Sequence, residues 1–387
     1  MSAGLTPESG LRFESERAVA LESVGVSGAA RALTGLTLLT VTYLAAWPVD
    51  IEPAAWTAPA PAERTGPYAP NDALAACEVF ARTPGPGPDT IAFDAIGYLY
   101  TGLEDGRVVR ISPDGERIDA LARIDGRATG IAFDTRGNLL VADEGAGVVR
   151  RLDGDGKVEP LVRDIDGEPM MLVNDLAVGN DGAVYITESS TKFTLEQLRL
   201  EILEHGANGR ILLYDPAARS ARVLVSGLYF PNGIALSPDQ THVIFAETTA
   251  YRVSRYWLRG PKAGSIETLI DDLPGFPGDV SVGDDGRYWL SLLAPRSAAV
   301  DRLAGLPIMR TVLARLPAVL LPGPRPLPYL IAFDSTGRVT VTLQTTSRTD
   351  LPSFSSVIEN AGYLYLGSPG IGTAIDGAAV YRVATPQ

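Results

Sequence analysis

The sequence predicts an all-β protein with the architecture of a six-bladed β-propeller. A unit of short apolar strands, separated by turns rich in Asp, Asn and Gly, recurs six times between residue 91 and the C-terminus. The first five units lie roughly 40 to 58 residues apart, which is about the length of one four-stranded blade. The 40 glycines and 29 prolines suit the many turns that such a ring requires. A pair of β-sandwiches is the alternative architecture.

The repeated units supply most of the strands. They occupy residues 91–115, 131–156, 176–190, 234–258, 280–294 and 357–370. Variable stretches between the units supply fourth strands, and residues 329–344 complete the fifth blade. The last unit, with its third strand at 377–383, lacks a fourth strand. We therefore expect an N-terminal strand within residues 72–81 to close the last blade, because closure removes exposed sheet edges.

Two insertions interrupt the repeat and are predicted to be helical. Residues 192–209 have leucines separated by charged residues, and residues 295–328 form an amphipathic helix with apolar positions from Leu303 to Leu316. Insertions of this kind cap one face of a propeller. The apolar insertion either packs on the propeller or contacts a membrane.

An uncharged apolar segment precedes the propeller and is predicted to be a transmembrane helix. As a helix, its 18 residues reach ~27 Å, close to the thickness of the hydrocarbon core of a bilayer. A cleaved signal sequence and a buried helix are the alternatives. The predicted organisation is a polar tail at 1–31, a membrane anchor at 32–49, a Pro/Ala-rich linker at 50–70 and the propeller at 71–387.

Basic residues flank the predicted anchor unevenly. Arg12, Arg17 and Arg31 precede it, whereas only Arg64 follows it closely. Basic flanks favour the cytoplasmic side of a membrane. We therefore expect a single-pass membrane protein with its propeller on the extracytoplasmic side.

Composition excludes several classes of function. A net charge of −13 argues against a nucleic-acid partner, because binding phosphates requires cationic side chains. The single cysteine, Cys77, excludes an intramolecular disulfide and a cysteine-based zinc site. Only two histidines are present, His205 and His242, which is too few for a multi-histidine metal site. Neither is a strong candidate for a general base. The sequence has no G-x-S-x-G motif, so it does not indicate serine catalysis. The sequence leaves the oligomeric state open.

The candidate site lies where the inner strands of the blades begin. In a propeller these positions point into the central channel, so residues of different blades converge there. The positions hold Asp89, Thr90, Asn174, Asp175, Asn232 and Asp279. Carboxylate and amide oxygens suit Ca²⁺, which takes ~6–8 oxygen ligands in irregular geometry. We predict that Asp89, Asn174, Asn232 and Asp279 bind calcium; the alternative is that they only cap turns.

A calcium ion at this position would indicate that the protein is a hydrolase. The ion would polarise the carbonyl of a small-molecule ester or lactone substrate. Asp175, next to the predicted ligands, is the candidate general base. The second blade opens with Thr129, which we expect to face the substrate channel together with Thr90.

Several segments resemble the strictosidine synthase-like proteins, which belong to a superfamily with gluconolactonase (SMP-30) and paraoxonase. The resemblance covers residues 48 to 383, and its most specific stretch is RYWLRGPKAG at 255–264. Other matching stretches are NDLAV at 174–178, FPNGIALSPD at 230–239 and ENAGYLYLGS at 359–368. The resemblance implies a six-bladed propeller, often with an N-terminal membrane anchor. It also implies hydrolysis of esters or lactones in many members, with calcium held at the strand openings.

The resemblance carries over to individual residues unevenly. Asn174 and Asn232 match the calcium ligands of calcium-dependent relatives, whereas Asp89 stands where those relatives have glutamate. Gly278, before Asp279, replaces one usual carboxylate. Thr129 stands where paraoxonases have histidine, so their histidine-based mechanism does not transfer.

Two alternative functions remain open. Glu359 stands where strictosidine synthase has the glutamate that serves the Pictet–Spengler condensation of an amine with an aldehyde, so Glu359 is a second candidate catalytic residue. The altered motif at Gly278 and the lack of a clear base favour, in contrast, a non-catalytic propeller that binds a ligand or a partner.

Overall fold

The protein is described by a computed structural model that covers residues 27–321, 323, 325–369 and 378–386. Within these residues, six four-stranded antiparallel sheets follow one another along the chain, which confirms the predicted six-bladed propeller. The sheets are numbered as blades one to six. In blades one to five the inner strand comes first in the sequence, and in blade six it precedes every strand except the N-terminal one.

The first three blades have simple up-and-down topology. Blade one consists of Ile91–Phe93, Leu99–Gly102, Arg107–Ile111 and Ile118–Arg123. Blade two consists of Ala128–Phe133, Leu139–Asp143, Val148–Leu152 and Val158–Val162. Blade three consists of Leu172–Val178, Val184–Ser190, Gly209–Asp215 and Ser220–Leu228. A short hairpin, Asp164–Ile165 with Glu168–Pro169, connects blades two and three.

The last three blades continue this order until the ring closes. Blade four consists of Pro231–Leu236, His242–Glu247, Arg252–Trp257 and Ile266–Ile270. Blade five consists of Gly275–Val282, Tyr288–Pro295, Tyr329–Phe333 and Val339–Gln344. Blade six consists of Val357–Asn360, Tyr363–Leu366, Ala379–Ala384 and the N-terminal strand Glu78–Arg82.

Closure of the ring is confirmed as predicted. The N-terminal strand Glu78–Arg82 pairs antiparallel with Ala379–Ala384, so the outer strand of blade six comes from the other end of the chain. Arg382 Nε donates to Glu78 Oε1 at 2.7 Å across this pair. The closing strand therefore covers the edge that the last repeat would otherwise expose.

The Asp-containing turns explain why the repeat is visible in the sequence. In blade one, Asp94 Oδ1 accepts hydrogen bonds from the backbone N–H groups of Ile96 and Tyr98. Gly97 completes the turn with φ of 88°, a conformation that favours glycine. The turn of blade two, from Asp134 to Gly137, repeats this arrangement, so an aspartate followed three residues later by a glycine fixes the tight turn between inner and second strands in both blades.

Both insertions are helical, as predicted. The second insertion has two helices, whereas one was predicted. The first contains a 3₁₀ turn, Leu195–Gln197, and the helix Leu198–Glu204. The second contains the helices Ala298–Leu303 and Pro307–Arg315 and a 3₁₀ turn, Ala318–Leu320, rather than one helix. Gly305 and Pro307 interrupt the apolar pattern, because proline is accepted at the start of a helix but not in its interior.

The N-terminal unit contains one apolar helix, Gly28–Ala46. It has 19 residues with a mean hydropathy of 1.3 in its most apolar window, so its length and composition suffice to cross a membrane, as those of a signal sequence also do. Its bounds differ from the predicted 32–49, because Ser27 caps its first turn and Pro48 follows its end. Most of the predicted polar tail, residues 1–26, lies outside the described residues.

The predicted linker is not an extended spacer. The second unit begins at Pro48, and Ile51 is buried beside Phe193 and Ala314 of the two insertions. The Trp56 ring stacks on His205 with centroids 3.9 Å apart. The compact unit that holds the propeller thus begins before residue 71, because apolar side chains in the Pro/Ala-rich stretch find partners on the insertions. Two 3₁₀ turns, Gly66–Tyr68 and Ala73–Ala76, complete this stretch.

Candidate functional site

One cavity lies where the inner strands of all six blades begin. Each blade contributes at least one polar residue to its lining, and the six at equivalent positions are Asp89, Thr129, Asn174, Asn232, Asp279 and Ser355. The cavity has a volume of about 110 Å³. The four predicted calcium ligands and the predicted base Asp175 all contact it, so the structure brings together residues that are 190 positions apart in the sequence.

Two glycines let neighbouring inner strands approach each other at the cavity. A Cβ atom at Gly130 would lie 2.6 Å from Asp175 Cα, and one at Gly233 would lie 2.3 Å from Asp279 Cα. No side chain fits at such distances. These glycines therefore hold the two aspartates close to the strands beside them.

A series of hydroxyl groups fixes the strand openings from blade to blade. Thr129 Oγ1 donates to the carbonyl of Asn174 at 2.7 Å, and Thr187 Oγ1 donates to the carbonyl of Asn232 at 2.7 Å. Ser355 Oγ donates to the carbonyl of Asp89 at 2.7 Å. Because these bonds use the backbone carbonyls, the amide and carboxylate side chains of the same residues stay available for other partners.

Asp175 and Asp279 form a buried pair of carboxyl groups that share a hydrogen bond. Asp175 Oδ2 also accepts from the backbone N–H of Ile234 at 2.9 Å. Burial raises the pKa of Asp175 to about 6. Burial and the negative charge of Asp175 raise the pKa of Asp279 well above its ordinary value. At neutral pH the two carboxyl groups therefore share one proton.

A buried arginine on blade two supplies a positive charge to the site. Arg127 Nη2 donates to Asp89 Oδ2 at 2.6 Å and to the carbonyl of Pro369 at 2.8 Å. Its Nη1 lies 3.7 Å from Glu144 Oε2, and this carboxylate oxygen has no hydrogen-bond partner among the described residues. Burial raises the pKa of Glu144 to about 7.

Apolar side chains form the remaining wall of the cavity. Leu198 comes from the first insertion, Phe230 precedes the inner strand of blade four, and Leu293 lies at the end of the second strand of blade five. Phe230 has φ of 54°, a left-handed conformation that is uncommon for a phenylalanine. The site thus combines ionised groups on one side with an apolar surface on the other.

Of the other predicted residues, Thr129 lines the cavity and the rest lie elsewhere. Thr90 is buried but does not line the cavity, and the Thr129 hydroxyl is used by the Asn174 carbonyl. Glu359 Oε2 accepts from Trp289 Nε1 at 2.9 Å at the far end of its strand, away from the lining residues. Its position does not support a catalytic role with the other candidates. His205 is stacked between Trp56 and Tyr229, and burial lowers its pKa to about 3.

Sequence reasoning missed Arg127, Glu144 and Ser355. Arg127 lies two residues before Thr129, and its position at a strand opening was the available signal. Glu144 follows the second strand of blade two, and it is not at one of the repeated strand-opening positions from which the site was predicted. Ser355 precedes the last inner strand in a run of serines that gave no sign of its contacts.

Comparisons of sequence place the chain among known proteins. The strictosidine synthase pattern matches residues 174–261, and the N-terminal pattern of strictosidine synthase-like proteins matches residues 66–111. Strictosidine synthase-like protein 13 of Arabidopsis thaliana is 33% identical over 67% of this chain and 72% of that protein. The adipocyte plasma membrane-associated protein of Danio rerio is 32% identical over 86% of this chain and 85% of that protein. The chain belongs to the strictosidine synthase-like family.

Solved structures share the propeller of this strictosidine synthase-like protein at lower identity. A gluconolactonase from Xanthomonas campestris aligns with a TM-score of 0.59 and 19% identity, over 86% of this chain and 99% of that chain. A calcium-binding protein, regucalcin, from Agrobacterium tumefaciens aligns with a TM-score of 0.57 and 15% identity, over 79% and 92%. At these identities the likeness shows the fold.

The cavity of this strictosidine synthase-like protein has the donor chemistry of a calcium site. Across the described part of the chain, no three His, Cys, Asp or Glu side chains are grouped to hold a metal on their own. The two asparagines are therefore needed, and with Asp89 and Asp279 they supply four neutral or anionic oxygen donors around one cavity. The shared proton of Asp175 and Asp279 marks a place where a cation would relieve repulsion between buried carboxylates. The residues present thus fit a divalent cation.

Proposed function

We propose that this protein is a calcium-dependent hydrolase of small esters or lactones. The observation that carries the proposal is the convergence of Asp89, Asn174, Asn232 and Asp279 on one cavity beside Asp175. The likeness in fold to a gluconolactonase and to a calcium-binding protein supports it. The two asparagines, Asp89 and Asp279 would hold the ion, which polarises a substrate carbonyl when bound.

Asp175 is the proposed general base. The N–H of Ile234 donates to one of its oxygens, and a cation held by Asp279 would balance its charge in place of the shared proton. Burial raises the pKa of Asp175, so this carboxylate is a stronger base than an exposed one and can accept a proton from water. As the water oxygen bonds to the carbonyl carbon, Asp175 takes the proton; as the ester C–O bond breaks, the same proton passes to the leaving oxygen. The products are a carboxylic acid and an alcohol.

The lining of the cavity indicates a neutral substrate with an apolar part. Four carboxyl groups, those of Asp89, Glu144, Asp175 and Asp279, face one guanidinium group. Because the carboxyl groups outnumber the guanidinium group, the protein side chains themselves favour a neutral substrate over an anionic one. The wall of Leu198, Phe230 and Leu293 suits an alkyl or aryl group.

The test is hydrolysis of aryl esters and lactones by the full-length protein, before and after removal of divalent ions. We expect activity that chelation abolishes and calcium restores. Asn232→Ala should lose this activity, whereas Asn180→Ala, at an exposed turn between strands, should keep it. Activity that persists without divalent ions, or at full rate in Asn232→Ala, would reject the metal mechanism.

A second candidate is a non-catalytic propeller that binds a ligand. The ion pair between Arg127 and Asp89 favours it, because one predicted calcium ligand already has a cationic partner. In addition, a Cβ at Gly278 would lie 2.8 Å from Ser291 Oγ, so the carboxylate that relatives have there does not fit. Stabilisation by calcium without turnover of any ester or lactone would support this function over the first.

We also propose that the protein is anchored in a membrane by the helix Gly28–Ala46, with the propeller on the extracytoplasmic side. The length and composition of the helix and the similarity to the adipocyte plasma membrane-associated protein support an anchor. Protection of the propeller from protease in intact cells of an expression host would contradict this sidedness. Release of the mature protein without residues 28–46 would identify a cleaved signal sequence instead.

A further inference from the structure

The longer insertion presents large apolar side chains to solvent. The residues, called the apolar cap face below, are Val300, Leu306, Ile308, Met309, Val319 and Leu320. Ile308 is 79% exposed and Val319 is 88% exposed. Outside residues 28–47, the other exposed large apolar residues of the described chain are scattered singly. A concentration of apolar side chains in one segment marks an interaction surface.

The helices of this insertion are held to the molecule from their other side. Arg310 Nη1 donates to the carbonyls of Leu203 and Glu204 in the first insertion. Arg199 donates in return to the carbonyls of Ala314 and Leu316. Because polar contacts fix the inner side, the exposed apolar side chains are not needed for packing of the described residues. This is the distribution expected of a helix that lies on an apolar surface.

The charge of the same segment differs from that of the rest of the chain. Residues 295–328 contain five arginines and one aspartate, whereas the protein as a whole has a net charge of −13. Arg302 and Arg325 are exposed and lie within five residues of the apolar cap face in the sequence. A segment that combines exposed arginines with exposed apolar residues complements anionic lipid headgroups above an acyl layer.

The chain also connects this end of the propeller to the apolar helix. Both insertions follow the second strand of a blade, so they lie at the end where the inner strands and the cavity open. Ile51 and Val49 pack against Phe193 and Ala314 of the insertions. The apolar helix ends at Ala46, only three residues before Val49. When this helix lies in a bilayer, only a very short stretch of chain therefore connects it to the residues that pack on the insertions.

We propose that the apolar cap face lies on the surface of the bilayer that holds the N-terminal helix. The apolar side chains enter the boundary between headgroups and acyl chains, and Arg302 and Arg325 contact anionic headgroups. The proposal does not depend on hydrolytic activity. It does place the cavity at the lipid–water interface, where small apolar esters concentrate.

The experiment reports the environment of single positions in the full chain. Ile308→Cys and Ile96→Cys are labelled with an NBD fluorophore and reconstituted in phosphatidylcholine vesicles, with or without phosphatidylserine. Ile96 is a matched control, since it is 76% exposed in the turn at the far end of a blade-one strand. The native Cys77 does not interfere, because it is buried and burial raises its thiol pKa to about 12.

At position 308 we expect a blue-shifted emission that nitroxide-labelled lipids quench, more strongly with phosphatidylserine present. At position 96 we expect neither effect. Arg302→Glu combined with Arg325→Glu should remove the dependence on phosphatidylserine at position 308. Equal lack of quenching at 308 and 96 would overturn the proposal. A blue shift at 308 that depends on protein concentration and resists lipid quenchers would overturn it too, in favour of contact with a second copy of the chain.

Discussion

Arg127 Nη2 lies 2.6 Å from Asp89 Oδ2 inside the candidate site, and both side chains are almost fully buried. The same guanidinium group is the nearest cation to Glu144. Arg127 thus balances part of the negative charge that four carboxyl groups bring to one cavity. A buried ion pair of this kind contributes little when intact, but removal of one partner leaves an uncompensated charge.

Replacement of Arg127 should destabilise the protein strongly. We expect Arg127→Met to lower the free energy of unfolding by about 3–5 kcal/mol, because Asp89 and Glu144 lose their cation in a buried site. Arg127→Lys should lose less, since the charge remains while one of the two hydrogen bonds is lost. Urea unfolding followed by circular dichroism measures both changes.

The matched control for this change is Arg107→Met. Arg107 pairs with Asp105 at 2.8 Å on the surface, where solvent screens the ion pair and it contributes little to stability. Adding Asp89→Asn to Arg127→Met should recover part of the loss. An Arg127→Met protein as stable as the Arg107→Met protein would show that the buried pair does not carry the charge balance described above.

The pH dependence of stability should report the Asp175–Asp279 pair. Burial raises both pKa values, so the proton-bound pair stabilises the folded protein at low pH, and this contribution is lost as pH rises through about 6. In calcium-free buffer, Asp279→Asn should therefore be more stable than the native chain at pH 8 and similar to it at pH 4. Thermal unfolding between these pH values measures the difference.

Asp285→Asn is the control for the direction of this effect. A hydrogen bond from Arg287 lowers the pKa of Asp285, so its replacement should cause a small loss of stability at pH 8 rather than a gain. An Asp279→Asn protein whose stability relative to the native chain does not rise between pH 4 and pH 8 in calcium-free buffer would contradict the shared proton.

Calcium should stabilise the folded protein through the two asparagines. Binding to the folded state alone raises stability by about 2.7 kcal/mol when free calcium is 100 times its Kd. We expect an increase in Tm for the native chain and for Asn180→Ala, and a much smaller one for Asn174→Ala and Asn232→Ala. Magnesium should have less effect, because it requires six ligands in near-ideal octahedral geometry. An equal calcium shift in all four proteins would place the ion elsewhere.

The repeat made the ring predictable because turn chemistry is local. Asp94 and Gly97 fix their turn by contacts within four residues. Turn residues of this kind therefore recur along the sequence, and their recurrence gives the number of blades. Convergence of Asn174 and Asp279 could be predicted as well, because equivalent positions of a closed ring must meet. The roles of these residues as calcium ligands stay predictions.

Contacts between distant segments could not be read from the sequence. The Pro/Ala-rich stretch looked like a spacer, yet Trp56 stacks on His205 because the helix Leu198–Glu204 brings that ring to it. Glu144 could be assigned to the site only because the structure places it close to Arg127. Such partners follow from packing of whole elements, which no short motif encodes.

Glu359 provides the test of the remaining alternative. Its carboxylate accepts hydrogen bonds from Trp289 Nε1 and from the backbone N–H of Asp284, so we assign it a structural role. Glu359→Ala should lower the free energy of unfolding by about 1–3 kcal/mol and leave the hydrolysis of esters and calcium binding within about twofold of the native chain. Neither protein should cyclise tryptamine with an aldehyde. Cyclised product that disappears in Glu359→Gln, at unchanged Tm, would instead assign Glu359 to Pictet–Spengler catalysis.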